Sequence, residues 1–243
     1  MTPYVFIGFS GSFGEYTDIV HACGGYVRKV VINMPTDIPL GPMNFHQRLA
    51  HYERYLHSMG VTDTVEVQQL RDFQPDSADR HVLAARGLRL QPLQRYMTHD
   101  LGLRLHPLVH PSVILSPTVV VPDGIVIRAG ACIGSAVVLG AYAAVGSLSY
   151  VGHDSHLEEY STVNPGARLA SGTRLGKGAV VGLGATVINE CTIGEEAFVA
   201  AGAVVTQNVP PLTLVAGVPA VVKKQLTPSQ IPTSVPGLES QPR

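Results

Sequence analysis

Every sixth residue from Val109 to Val205 is Val, Leu or Ile, seventeen positions with no insertion and no miss. A period of six fits neither the helical period of 3.6 nor the simple alternation of a strand. It is the period of a hexapeptide-repeat parallel β-helix, a coil in which each hexad is one side of a triangle. Three hexads, or 18 residues, make one turn of the coil, so the repeat builds between five and six turns. The residue two before the aliphatic is usually small: Ala131, Ala143, Ser149, Ser155, Ser161, Ala167, Thr173, Ala179, Ala185, Cys191, Ala197 and Ala203. Alternate residues of a strand share a face, so both positions point into a narrow core. Glycine often follows the aliphatic, as at Gly134, Gly140, Gly146, Gly152, Gly176, Gly182 and Gly194, where a tight bend that a Cβ would strain is expected.

Only 14% of the 243 residues are charged, which predicts that part of the surface is covered by other subunits. The net charge of −1 gives no basis for binding nucleic acid or a membrane surface. Hydrophobic residues make up 45% of the chain, which argues against disorder. Cys23, Cys132 and Cys191 form neither a disulfide framework nor a zinc spacing, and Cys191 falls on the small inward position of the repeat. No apolar run approaches the roughly 20 residues of a membrane span, and no secretory leader is evident, so the cytoplasm is the expected compartment.

Residues 1–105 read as a separate small α/β domain. Tyr4–Gly8 is a buried strand, Gly8 to Gly14 a glycine-rich turn, Glu15–Cys23 a helix and Val27–Asn33 a second strand. This is the opening of a Rossmann-like nucleotide-binding unit. Its glycines let backbone amides and a helix N-terminus approach a phosphate, but their spacing departs from G-x-G-x-x-G, which argues against NAD. Asn44–Met59 is a polar helix, Arg80–Ala85 a third strand and Leu90–Leu101 a further helix. The β-helix is expected over 106–210 and a C-terminal extension over 211–243, with a mobile Pro-, Ser- and Gln-rich tail from about 227.

A coil is a scaffold, so chemistry resides in the residues that depart from its pattern. His153 follows the aliphatic Val151 and its glycine, at a corner where the side chain faces out. Its corner column, at 18-residue spacing, reads Ser135, His153, Ser171, Asn189, which leaves the imidazole room for a ligand. Asp154 follows directly and would hold one ring nitrogen as a donor, leaving the other as a base. The alternative is an ordinary surface histidine on a turn. His156 reads as a surface residue, and a zinc site with His153 lacks a third ligand. His110 reads as a structural junction.

From Leu105 to Lys224 the chain resembles the hexapeptide-repeat nucleotide-sugar acyltransferases of the sialic-acid O-acetyltransferase and bacillosamine N-acetyltransferase type. The matching stretches are Val109-His110-Pro111-Ser112, Val151-Gly152-His153-Asp154, Asn164-Pro165-Gly166-Ala167 and Ala216-Gly217-Val218-Pro219-Ala220. Ile7-Gly8-Phe9-Ser10-Gly11 resembles the same family's sugar-nucleotide loop. The resemblance implies a left-handed β-helix, a homotrimer and a groove between neighbouring coils. Acetyl-CoA would be the co-substrate and a nucleotide sugar the acceptor, in polysaccharide or glycan precursor synthesis, with no metal. His153 is then the general base and Asp154 its orienting partner. A backbone N–H at Ser171, beside Gly172, is the oxyanion donor. Asn189, Leu183 and Ala201 line the pantetheine arm. Lys223 and Lys224 meet the CoA phosphates or, on a structural reading, end a solvated helix or tail. Gly8, Ser10 and Gly11 receive the nucleotide.

The chain also departs from the family. A glycine is usual where Ser171 stands, a second histidine where Thr162 stands, and a histidine where Ser12 stands. The segment from Pro35 to Arg80 is longer than in compact members. The acceptor sugar, O- versus N-acylation and the acyl chain stay open at this point. Two other functions stand beside the transferase: a non-catalytic scaffold or binding protein, and a γ-type carbonic anhydrase. The latter needs three histidines, two of them five apart, whereas His153 and His156 are three apart.

Overall fold

Each hexad folds as a two-residue strand followed by a four-residue turn, with the first strand residue facing out and the aliphatic facing in. The computed structural model describes residues 1–33 and 42–229. In it, sixteen such strands run from Leu108–Val109 to Val204–Val205. Strands 18 residues apart pair in parallel, as in Ala144↔Thr162 and Val145↔Val163. They form three faces. Face one contains Ala144–Val145, Thr162–Val163 and Val180–Val181; face two contains Cys132–Ile133, Tyr150–Val151, Arg168–Leu169 and Thr186–Val187; face three contains Val138–Leu139, His156–Leu157, Arg174–Leu175 and Thr192–Ile193. Every repeat aliphatic from Ile127 to Val205 is buried, and so are the small residues two before them. Each buried aliphatic contributes about 1.5–3 kcal/mol, which makes this column the main source of the coil's stability.

Val121 is the repeat aliphatic that forms no strand. The next residue is Pro122. Elsewhere the residue after the aliphatic donates its N–H one coil on, as Ser116 does to Ile133 at 3.1 Å and Arg128 does to Val145 at 3.0 Å. Proline has no N–H to give, so the ladder lapses there.

The glycines after the aliphatics serve a different purpose from the one expected. None of Gly134, Gly152 or Gly182 has a positive φ. A Cβ on Gly152 would lie 2.6 Å from the amide nitrogen of Ser171, and one on Gly134 would lie 2.7 Å from that of His153. These glycines permit close stacking of successive coils. The left-handed residue comes two positions later, at Asp154 (φ 58°), Gly172 (φ 71°) and Glu190 (φ 62°). Its N–H donates back one coil, from Asp154 to Ser135, Gly172 to His153 and Glu190 to Ser171.

After the last coil, Thr213–Ala216 pairs in parallel with Phe198–Val199, and Val221–Gln225 returns antiparallel to it. Lys223 and Lys224 therefore lie on an exposed strand, which corrects the helix-or-tail expectation. The tail expected from about 227 falls, from residue 230 on, outside the described residues.

The N-terminal unit contains β1 (Thr2–Ile7), α1 (Phe13–Ala22), β2 (Gly25–Ile32), α2 (Phe45–Ser58), β3 (Glu66–Gln69) and β4 (Arg80–Leu83). The sheet is parallel with order β3-β2-β1-β4. Asn44 starts α2 with a capping box: its side chain accepts from the Gln47 amide at 2.9 Å, and Gln47 Oε1 accepts from the Asn44 amide at 3.0 Å. The strand β3 has no counterpart in the sequence reading, so Arg80–Leu83 is the fourth strand and not the third. Its sequence, Glu-Val-Gln-Gln, lacks apolar alternation because it is a largely exposed edge strand. The helix read over Leu90–Leu101 is a short α-helix, α3 (Gln91–Arg95), continued by a π-helical turn over Tyr96–Asp100. By contacts the chain forms two compact units, one of Met1–Ala85 with Arg89–Leu108, the other of Arg86–Leu88 with the coil from Val109 onward.

Candidate active site

The turn after Tyr150–Val151 carries His153 and Asp154 at the corner between faces two and three. Both side chains are exposed, and His153 Nδ1 lies 2.7 Å from Asp154 Oδ2. The positive φ of Asp154 is one that Asp tolerates better than most residues. In the neutral imidazole this contact puts the proton on Nδ1 and leaves Nε2 with a lone pair.

One coil on, at about the 4.8 Å spacing of paired strands, the same corner carries Ser171 and Gly172. The Gly172 amide donates to the His153 carbonyl at 2.9 Å. The Ser171 amide, one residue earlier, makes no hydrogen bond among the described residues. Of the two, Ser171 therefore has the donor free for a ligand. Asn189 continues the column and is exposed.

Leu183 and Ala201 lie on the corner between faces one and two, also exposed, Leu183 at 57%. The outward residues of face two lie between the two corners. Arg168 pairs across the ladder with Tyr150 and Thr186. Arg168 is exposed and has no ion-pair partner among the described residues. The sequence reading missed Arg168. Counting one coil on from Tyr150 would have found it, because the residue before each aliphatic is the outward one.

Within one chain the structure does not bring Lys223 to this strip. Its strand extends face one, opposite the His153 corner. Thr162, which departs from the second histidine expected at that position from the resemblance, is buried on face one. His156 faces out from face three, beside Arg174 in the ladder. His110 is a local junction, its Nδ1 2.8 Å from Ser112 Oγ.

In the N-terminal unit, Gly8 ends β1 with φ 78° and donates to Val31 at 2.8 Å. Ser10 Oγ donates to the Ala84 carbonyl, just past β4, at 3.1 Å. The strand order reverses direction between β1 and β4, so the turn containing Gly8, Ser10 and exposed Gly11 sits at the topological switch point. In open parallel α/β sheets that is where ligands bind. The helix α1 begins directly after it, at Phe13.

No helix among the described residues is long and apolar enough to cross a membrane. No family model and no curated protein sequence matches the chain. Solved structures do. A histidine-to-alanine mutant of GDP-perosamine N-acetyl transferase from Caulobacter crescentus, in complex with CoA and GDP-perosamine, matches with a TM-score of 0.72 at 26% identity, over 91% of this chain and 97% of that one. PerB from the same organism, with the same ligands, matches with a TM-score of 0.68 at 28% identity over the same shares. The acetyltransferase domain of PglB from Neisseria gonorrhoeae, in complex with acetyl coenzyme A, gives 0.70 at 25% identity, over 91% and 99%. The coil is thus the left-handed β-helix, preceded by a small α/β domain. By this architecture, and over about nine-tenths of its length, the chain is similar to nucleotide-sugar N-acetyltransferases built on the hexapeptide repeat.

Proposed function

We propose that the protein transfers an acyl group, acetyl in the first instance, from CoA to an amino group on a nucleotide-linked sugar, with His153 as general base. The observation that carries this reading is the exposed His153–Asp154 pair one coil from the Ser171 amide, which has no hydrogen-bond acceptor among the described residues. The amine nitrogen attacks the thioester carbonyl while Nε2 of His153 accepts its proton. Negative charge gathers on the carbonyl oxygen, where the Ser171 N–H donates. The C–S bond then breaks, and the imidazolium returns its proton to the departing CoA thiolate. A hydroxyl acceptor needs the same base in the same place. The amine is preferred because the CoA-bound relatives at or above 25% identity include perosamine N-acetyltransferases.

In this reading the active form is a homotrimer, and the acyl-CoA lies along the strip bounded by Ser171, Gly172 and Asn189 on one corner and Leu183 and Ala201 on the other. Lys223, on face one, reaches CoA phosphates only from a neighbouring subunit. Gly8, Ser10 and Gly11 hold the nucleotide diphosphate, and the product feeds surface-polysaccharide or glycan precursors in the cytoplasm.

The test is a thermal-shift screen of the whole protein against acetyl-CoA, longer acyl-CoAs and UDP-, GDP-, CMP- and TDP-sugars. A ligand bound only by the folded state raises the melting temperature by mass action. A rise with acyl-CoA and one nucleotide class supports the transferase. No rise with any CoA overturns it in favour of a non-catalytic scaffold.

A further inference from the structure

Helices α1 and α2 face each other across an open groove in the N-terminal unit. From α1 it is lined by Gly14, Thr17, Asp18 and His21; from α2 by Arg48, His51, Tyr52 and Tyr55. Each set follows the helical spacing of a single face. The groove has a volume of about 270 Å³. That is below the roughly 300–1,000 Å³ of pockets that take drug-sized ligands, so a single ring system fits and a whole sugar nucleotide does not.

The lining is specific in its chemistry. His21 packs edge-on against Tyr55, with ring centroids 4.7 Å apart, and Phe13 packs edge-on against Tyr52 at 5.8 Å. The Tyr52 hydroxyl is fixed by the Val27 amide at 2.8 Å, so Tyr52 presents its ring and not its oxygen. Nε2 of His21 is buried and has no hydrogen-bond partner among the described residues. Asp18 and His51 form no hydrogen bond or ion pair across the groove among the described residues. A Cβ on Gly14 would meet nothing within 4 Å among the described residues. Along α1, seven residues separate Gly14 from His21, about 10 Å down the side of the sheet. The groove thus extends away from the glycine turn at the strand ends.

We propose that this groove is a second small-molecule site, separate from the glycine turn, for a planar nitrogen heterocycle of the nucleobase type. Aromatic rings supply the walls. The Asp18 carboxylate accepts from ring N–H or amino groups, while His51 and Arg48 donate to ring carbonyls or nitrogens. The inference stands whether or not the acyl-transfer reading holds, because it uses none of the same residues.

Adenosine, guanosine, cytidine, uridine and thymidine are titrated into the full-length protein, with binding followed by calorimetry and by the histidine and tyrosine ring NMR signals. One nucleoside is expected to bind and shift the His21 and Tyr55 rings. Asp18→Asn and His51→Ala, both exposed positions, should each weaken it about tenfold. Ser10→Ala should leave that affinity unchanged. No binding by any nucleoside overturns the proposal. So does binding that survives both groove variants or is lost in Ser10→Ala, either of which assigns the nucleoside elsewhere.

Discussion

Nδ1 of His153 lies 2.7 Å from Oδ2 of Asp154, its neighbour in the chain, on a turn whose left-handed residue is that same aspartate. One residue therefore supplies both the bend and the orienting carboxylate. Asp154→Asn keeps a side chain suited to the backbone but replaces a charged acceptor by a neutral one. It should lower kcat by about tenfold with little change in KM for acyl-CoA. A fall in KM and kcat together with loss of the folded coil would point to a structural role for Asp154 alone.

Ser171 is proposed to act through its amide, not its hydroxyl. Ser171→Gly and Ser171→Ala both retain that amide, so turnover with acetyl-CoA should stay within about threefold of wild type, against the 10²–10³-fold expected when an oxyanion donor is lost. A large loss in Ser171→Ala would assign the hydroxyl a part that the proposed mechanism does not give it.

Close coil stacking makes Gly152 a stability residue. A methyl there meets the Ser171 amide nitrogen at 2.6 Å and the Ala170 carbonyl carbon at 2.8 Å, inside any real Cβ contact, and both are backbone atoms of the next coil. Gly152→Ala should destabilise the coil by about 1–3 kcal/mol. Urea denaturation followed by circular dichroism checks this, and an unchanged midpoint would contradict the stacking account.

Acid should loosen the N-terminal unit first. Burial holds His81 and His21 below the ordinary histidine value of 6.5, with the carboxylates of Asp79 and Asp18, respectively, only partly opposing it. The folded state thus binds fewer protons than the unfolded chain once pH drops below 6.5, and stability falls with pH from there down to the lowered native values. Above 6.5 this contribution is complete. Protection of the β4 amides, taken as hydrogen-exchange rate relative to that of an unstructured peptide at the same pH, should fall as pH drops below 6.5, and His81→Leu should flatten the dependence. A flat profile in the wild type would rule out these histidines as the cause.

The coil was legible residue by residue because its core has one solution: the aliphatic and the small residue two before it must both point inward. The corner position of His153 followed from the same counting. The role of the glycines was misread because a sequence shows that a Cβ is missing, but not whether torsion or a neighbouring coil requires its absence. The lapse at Val121 was readable in principle, since Pro122 cannot donate to the ladder. The edge strand Glu66–Gln69 carries no pattern, because little of it is buried. Lys223 and Lys224 read as a charged end because an exposed hairpin strand and a solvated tail share the same polarity. Arg168 needed only the outward register. The groove between α1 and α2 depends on two helices whose facing residues, such as Gly14 and Arg48 or His21 and Tyr55, are 34 positions apart, which one-dimensional spacing does not join.

The most direct test of the central claim is CoA-thiol release from acetyl-CoA in the presence of GDP-perosamine and related nucleotide-linked amino sugars, by the wild type and by His153→Ala. The account predicts acceptor-dependent release in the wild type and a drop of about 10²–10⁴-fold in the variant, with its melting temperature preserved. Equal turnover in the two proteins would contradict the assignment of His153 as the base.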